Sequence, residues 1–132
     1  MFSVDADKSK QLLTMSFSQQ VCTEEMKICV DKTKCSLAGM RPGFQLLTDL
    51  SNLESMESTC ADYIGQIMDL CSMKGVRAVF RVVPDPKTDL GYNLMSLFHY
   101  SQDVRTMTFE NLADAMRSLA PEDALEGDAA VA

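Results

Sequence analysis

A chain of 132 residues, 46% of them apolar, is about one domain long and can bury a core without disulfides or a structural metal. The net charge of −7, the isoelectric point near 4.6 and the lack of any Lys/Arg cluster exclude the footprint of a phosphate backbone or an anionic membrane surface, so the expected partners include neither nucleic acid nor membrane. The five cysteines (Cys22, Cys29, Cys35, Cys60 and Cys71) form no CxxC pair, which points to reduced thiols and, with a start that turns polar at Asp5, to the cytoplasm.

Phe2 to Asp5 and Leu12 to Ser18 read as two strands. In the second, Leu13, Met15 and Phe17 alternate with Thr14, Ser16 and Ser18, the period of a half-buried strand. The polar turn Ala6 to Lys10 joins them as an antiparallel hairpin. Thr23 is placed to cap a first helix, with Glu24 and Glu25 in its first turn, where carboxylates suit the helix dipole. Met26, Val30, Thr33 and Leu37 follow at helical spacing, and Gly39 with Pro42-Gly43 ends the helix.

Phe44 to Leu50 reads as a central strand buried on both faces, followed by a polar connection from Ser51 to Glu57. A second helix starts near Ser58 or Thr59, presents Cys60, Ile64, Ile67, Met68 and Cys71 inward, and closes at Lys74-Gly75. Val76 to Val83 is the next strand, stopped by Pro84-Asp85-Pro86. Asp89 caps a third helix through Leu90, Leu94, Leu97 and Phe98. Val104 to Met107 is a short last strand, and Thr108 caps a fourth helix with Phe109, Leu112, Met116 and Leu119 on one face. Beyond Pro121 the chain is small and acidic, the composition of a disordered tail over 120–132.

The order β-β-α-β-α-β-α-β-α implies an α/β domain over 1–119, with a mixed, mainly parallel sheet of about five strands and four helices. Few residues offer catalytic chemistry. His99 is the only histidine, and a lone His makes neither a zinc site nor a triad. Asp49, Asp85 and Asp89 fall where an open α/β sheet binds ligands, at the carboxyl ends of strands, but caps and turns use aspartates in the same places. Cys60 at a helix start is either an activated thiolate or a buried, inert thiol. No Gly-rich phosphate loop occurs, and no cofactor or metal is expected.

Two short stretches carry a family resemblance. Asp49-Leu50-Ser51 closes the central strand, and Met56-Glu57-Ser58-Thr59 opens the next helix. With the order of elements, they resemble the STAS domain, whose members include bacterial anti-sigma-factor antagonists and the cytoplasmic domains of sulfate transporters. Asn52 and Cys60 stand where that family usually has Gly, and Glu57 stands for its Asp. The Val83 to Tyr100 segment lies outside the common pattern and marks a divergent branch. The resemblance implies a non-enzymatic regulatory domain that binds a protein partner such as an anti-sigma kinase. It places the phospho-acceptor at Thr59, with Ser58 beside it, and the partner-binding surface at Asp49, Ser51, Asn52, Glu54, Glu57 and Asp62.

A phosphate at Thr59 would sit at a helix N-terminus yet face Glu54, Glu57 and Asp62, so repulsion that spoils a docking surface is expected, not a new internal contact. The same hydroxyls serve equally as ordinary helix caps. Two alternatives stay open: a small-ligand binder or enzyme using a crevice from Asp85 to Tyr92, and a homodimer through Leu90, Leu94 and Phe98.

Overall fold

The computed structural model describes residues 1–85, 95–96 and 99–119. Five strands form one sheet in the order β1-β2-β3-β4-β5. They are β1 (Phe2–Asp7), β2 (Leu12–Val21), β3 (Gln45–Met56), β4 (Ala78–Val82) and β5 (Arg105–Phe109). β1 and β2 pair antiparallel, and the other three pairings are parallel. Among the described residues three helices are complete, not four: α1 (Thr23–Leu37), α2 (Cys60–Lys74) and α3 (Leu112–Ser118). The helix expected from Asp89 through Phe98 lies largely outside the described residues, although Met95, Ser96 and His99 are helical. The acidic stretch 120–132, Leu90 and Leu94 also lie outside them.

The sheet separates two cores. Leu13, Met15, Phe17, Leu46, Leu50 and Val79 meet Met26, Cys29, Val30 and Leu37 of α1 and Cys60, Ile67, Met68 and Cys71 of α2. On the other face Leu47, Ala78, Phe80 and Val82 meet Ala115 of α3. The inward stripes of α1 and α2 are thus those expected, except that Ile64 is only half-buried. Thr33 is tolerated in the core because its hydroxyl donates to the Cys29 carbonyl at 2.8 Å. α2 ends as expected at Gly75, whose φ of 94° a side chain would resist.

The last helix departs from expectation. Phe109 belongs to β5, and Asn111, not Thr108, caps α3 by accepting from the Asp114 N–H at 2.9 Å. Ala115 is the residue turned to the sheet, while Leu112 and Met116 stay exposed. A helix of seven residues close to the Phe80–Phe109 pair leaves room inside for a small side chain.

β2 and β3 are longer than their apolar runs. β2 continues past Ser18 to Val21, and Asn52 to Met56 pair with Ser18 to Val21 as added strand, with register shifts on the way. One irregularity falls at Gln19, which has a positive φ of 58°. The expected connection from Ser51 is therefore strand.

Candidate functional site

That extension decides how the expected site is arranged. Strand rises about 3.3 Å per residue, so Asp49 stands roughly 20 Å from the start of α2. Asp49 is in step with Leu47, on the sheet face opposite α2, and its carboxylate accepts from the Ser51 N–H at 3.0 Å and from the Ser51 hydroxyl. Asp49, Ser51 and Asn52 are thus separated from the hydroxyls they were expected to orient. Glu54 lies nearer, exposed on the last part of β3, and Glu57, Ser58, Thr59 and Asp62 gather at the start of α2.

Ser58 and Thr59 are both exposed. Thr59 holds the N-cap position of α2, but its side chain makes no capping hydrogen bond. Its hydroxyl instead bonds the hydroxyl of Thr23, at the start of α1. The Glu57 carboxylate accepts from the Thr23 backbone N–H at 2.8 Å. That N–H is one of the donors a helix start leaves without an internal partner. The Val21 carbonyl accepts from the Glu57 N–H at 3.1 Å, and the Cys60 thiol points to the same oxygen at 3.9 Å. The end of β2 and the start of α1 are thereby fastened to the end of β3 and the start of α2.

Thr23 is the residue that sequence reasoning missed here. It was expected to cap α1, whereas Cys22 holds the N-cap position and Thr23 is the first helical residue. Its side chain reaches across 36 positions to Thr59, a contact no local pattern announces. The structure thus gives the Thr59 hydroxyl an internal neighbour where only acidic ones were expected.

Cys60 is buried, and burial pushes its thiol pKa up. It is an inert thiol and not a thiolate. Because it faces inward, it does not cover Thr59. Cys29 and Cys71 are also buried, with pKa values pushed up by burial to about 11 and about 12. Cys35 is exposed, and all five cysteines are free.

Elsewhere, His99 Nδ1 meets the Asp69 carboxylate at 2.8 Å, and its ring lies against Gly65. Among the described residues no cluster of His, Cys, Asp and Glu could hold a metal ion, and no helix is long and apolar enough to cross a membrane. Of the crevice expected near Asp85, Asp85 is exposed, and Asp89 and Tyr92 lie outside the described residues. So does Phe98 of the expected dimer face.

No family model matches the sequence, and no curated protein matches it. Solved structures do. An uncharacterised DUF3478-family protein with a SpoIIAA-like fold from Shewanella loihica superposes with a TM-score of 0.70 at 16% identity, over 90% of this chain and 94% of that one. The Bacillus cell-fate determinant SpoIIAA in its phosphorylated form gives 0.63 at 10% identity, over 91% and 100%. An anti-sigma factor antagonist from Mycobacterium paratuberculosis gives 0.56 at 14%, over 90% and 94%. The chain has the SpoIIAA-like fold that the STAS resemblance implied.

Proposed function

We propose that this chain is a non-enzymatic regulatory domain that works by binding a protein partner, with Thr59 as the residue that switches the interaction. The observation that carries the reading is the Thr59 hydroxyl. Thr59 is exposed at the tip of α2, and its hydroxyl is not used to cap its own helix. Two of the proteins sharing the fold are an anti-sigma factor antagonist and a determinant in a phosphorylated form.

The partner in this reading is a kinase of the anti-sigma type. The Thr59 oxygen bonds to the γ-phosphorus of ATP, the bond to the β-phosphate oxygen breaks, ADP leaves, and the hydroxyl proton passes to a base of the kinase. The docking patch is Glu54, Glu57, Ser58, Thr59 and Asp62, with Asp49, Ser51 and Asn52 further along β3 as an outlying contact. A phosphate adds about −1.5 to −2 charge to a patch already carrying three carboxylates, so the modified form releases its partner.

Phosphopeptide mapping from cells under several growth conditions tests the modification. Binding of the captured kinase to Thr59→Glu and Thr59→Val tests the switch: Glu is expected to weaken binding strongly and Val to leave it nearly intact. Thr59 unmodified in every condition, together with equal binding of both variants, would remove the reading.

A further inference from the structure

We infer that a phosphate on Thr59 takes over the N-terminus of α1 and expels the Glu57 carboxylate from it, so that the switch is an exchange of caps between two helix starts. The inference rests on the reading of Thr59 as the switch residue, and it names how the switch works inside the molecule.

The geometry of one residue carries the argument. Thr23 offers two donors at the start of α1. Its N–H is held by the Glu57 carboxylate at 2.8 Å, and its hydroxyl bonds the Thr59 hydroxyl. Both groups therefore converge on Thr23 from the same turn at the start of α2, one already anionic and the other the site of added charge. α1 is a helix of 15 residues, so its N-terminus has the full attraction for an anion, and a carboxylate is already seated there.

When Thr59 is modified, its terminal phosphate oxygens lie two P–O bonds beyond the ester oxygen that touches Thr23. They then lie within reach of the Thr23 hydroxyl and N–H together. A dianion and a carboxylate cannot share one N–H at low cost, because each repels the other and only one can be the acceptor. The phosphate carries the larger charge and holds a second donor, the Thr23 hydroxyl. Glu57 is exposed and can swing into water with little loss. Of the other charges around this point, Glu24 pairs with Lys27 at 3.2 Å and Glu25 with the Met1 ammonium at 2.9 Å, while Glu54 and Asp62 are exposed. Modification thus changes the docking patch twice, by adding the phosphate and by freeing the Glu57 carboxylate from the Thr23 N–H.

The test is a cycle of four proteins: unmodified or carrying phosphothreonine installed at position 59 during translation, each with Glu57 or Glu57→Ala. The readout is solvent exchange of the Thr23 amide by NMR, with amides of β4 as the control for global folding. In the unmodified protein Glu57→Ala is expected to speed exchange of the Thr23 amide about tenfold, the effect of losing one charge-assisted hydrogen bond. In the phosphorylated protein the same substitution is expected to change it by less than about twofold, because Glu57 has already left. Equal acceleration in both backgrounds overturns the exchange of caps, and so does no acceleration in the unmodified protein. The phosphate is built in without a kinase. Failure of the cycle therefore leaves Thr59 standing as the switch residue, whereas absence of modification in cells removes the switch and leaves the cycle's result intact.

Discussion

The two ends of α2 are held in different ways. At its start, Glu57, Thr59 and Cys60 reach α1 and β2 through hydrogen bonds among mostly exposed groups. Further along, Gly65 receives the His99 ring, and on the outer side Asp69 binds the His99 nitrogen and the Ser72 hydroxyl accepts from the Ser101 N–H at 3.3 Å. Beneath that half, Ile67, Met68 and Cys71 pack on the sheet beside buried Tyr100, and Arg81 donates to the Ser96 hydroxyl at 2.9 Å. Polar contacts in water are exchangeable at small cost, whereas interlocked apolar contacts are not. One helix can therefore carry a switch at its tip while its body stays fixed.

The largest effects should come from the fixed half. Ile67→Ala removes a buried branched side chain and is expected to cost about 2–5 kcal/mol in denaturant unfolding. A loss below 1 kcal/mol would place the body of α2 in the same class as its tip. The alkaline limit belongs to the core that this half packs on. Cys71 and Cys29 have pKa values raised by burial, to about 12 and about 11, and burial raises Tyr100 as well. A thiol whose folded pKa is raised is favoured as its neutral form in the fold, so its contribution is complete below pH 9 and is lost as pH rises toward 11 and 12. Stability is expected to fall across that window, and the fall should be shallower in Cys71→Ala. An identical slope in the variant would assign the alkaline loss to other groups.

Gly65 sharpens the comparison at the boundary between the halves. A Cβ there would lie 2.8 Å from His99 Nε2 and 2.9 Å from Cε1. Gly→Ala inside a helix otherwise gains roughly 0.5–1 kcal/mol, so the sign depends on His99. Gly65→Ala should destabilise the natural chain, by about 1 kcal/mol, and stabilise a His99→Ala chain by a similar amount. Additivity of the two substitutions would mean that the imidazole does not rest on α2.

Legibility from sequence follows the same division. The stripes Met26, Val30, Thr33, Leu37 and Ile67, Met68, Cys71 were readable because burial imposes a helical period on residue type. Gly75 was readable because a left-handed helix end demands it. The second half of β3 was not. Ser51 to Met56 is polar, and what makes it strand is Ser18 to Val21 alongside, a partner more than 30 residues away. The exposed face of α3 escaped because helical spacing alone does not say whether a leucine or the alanine beside it meets the sheet. The placing of Glu57, Ser58 and Thr59 at the start of α2 was legible from their sequence pattern. The Thr23 contact was not, since it exists only once two helix starts are laid side by side. Asp49 shows the converse error: nearness in sequence stood in for nearness in space, and an extended strand undoes it.

Smaller effects are expected at the tip. Glu57→Ala leaves the Thr23 N–H without its carboxylate. It should cost about 1 kcal/mol, the usual worth of a helix cap, with the change confined to α1 amides in hydrogen exchange. A loss spread over both cores would mean that Glu57 supports the fold and not the junction.

Thr59→Val is the mildest of these changes and the most informative for the switch. Valine keeps the shape and removes the bond to the Thr23 hydroxyl. Both groups are partly or fully exposed, so water replaces the lost partner, and the net cost should stay near or below about 0.5 kcal/mol. A residue whose hydroxyl contributes so little is free to exchange it for a phosphate ester without unfolding the domain. If Thr59→Val instead lowered stability as much as Ile67→Ala, the tip would be structural, and a kinase acting on it would destroy the surface it was meant to regulate.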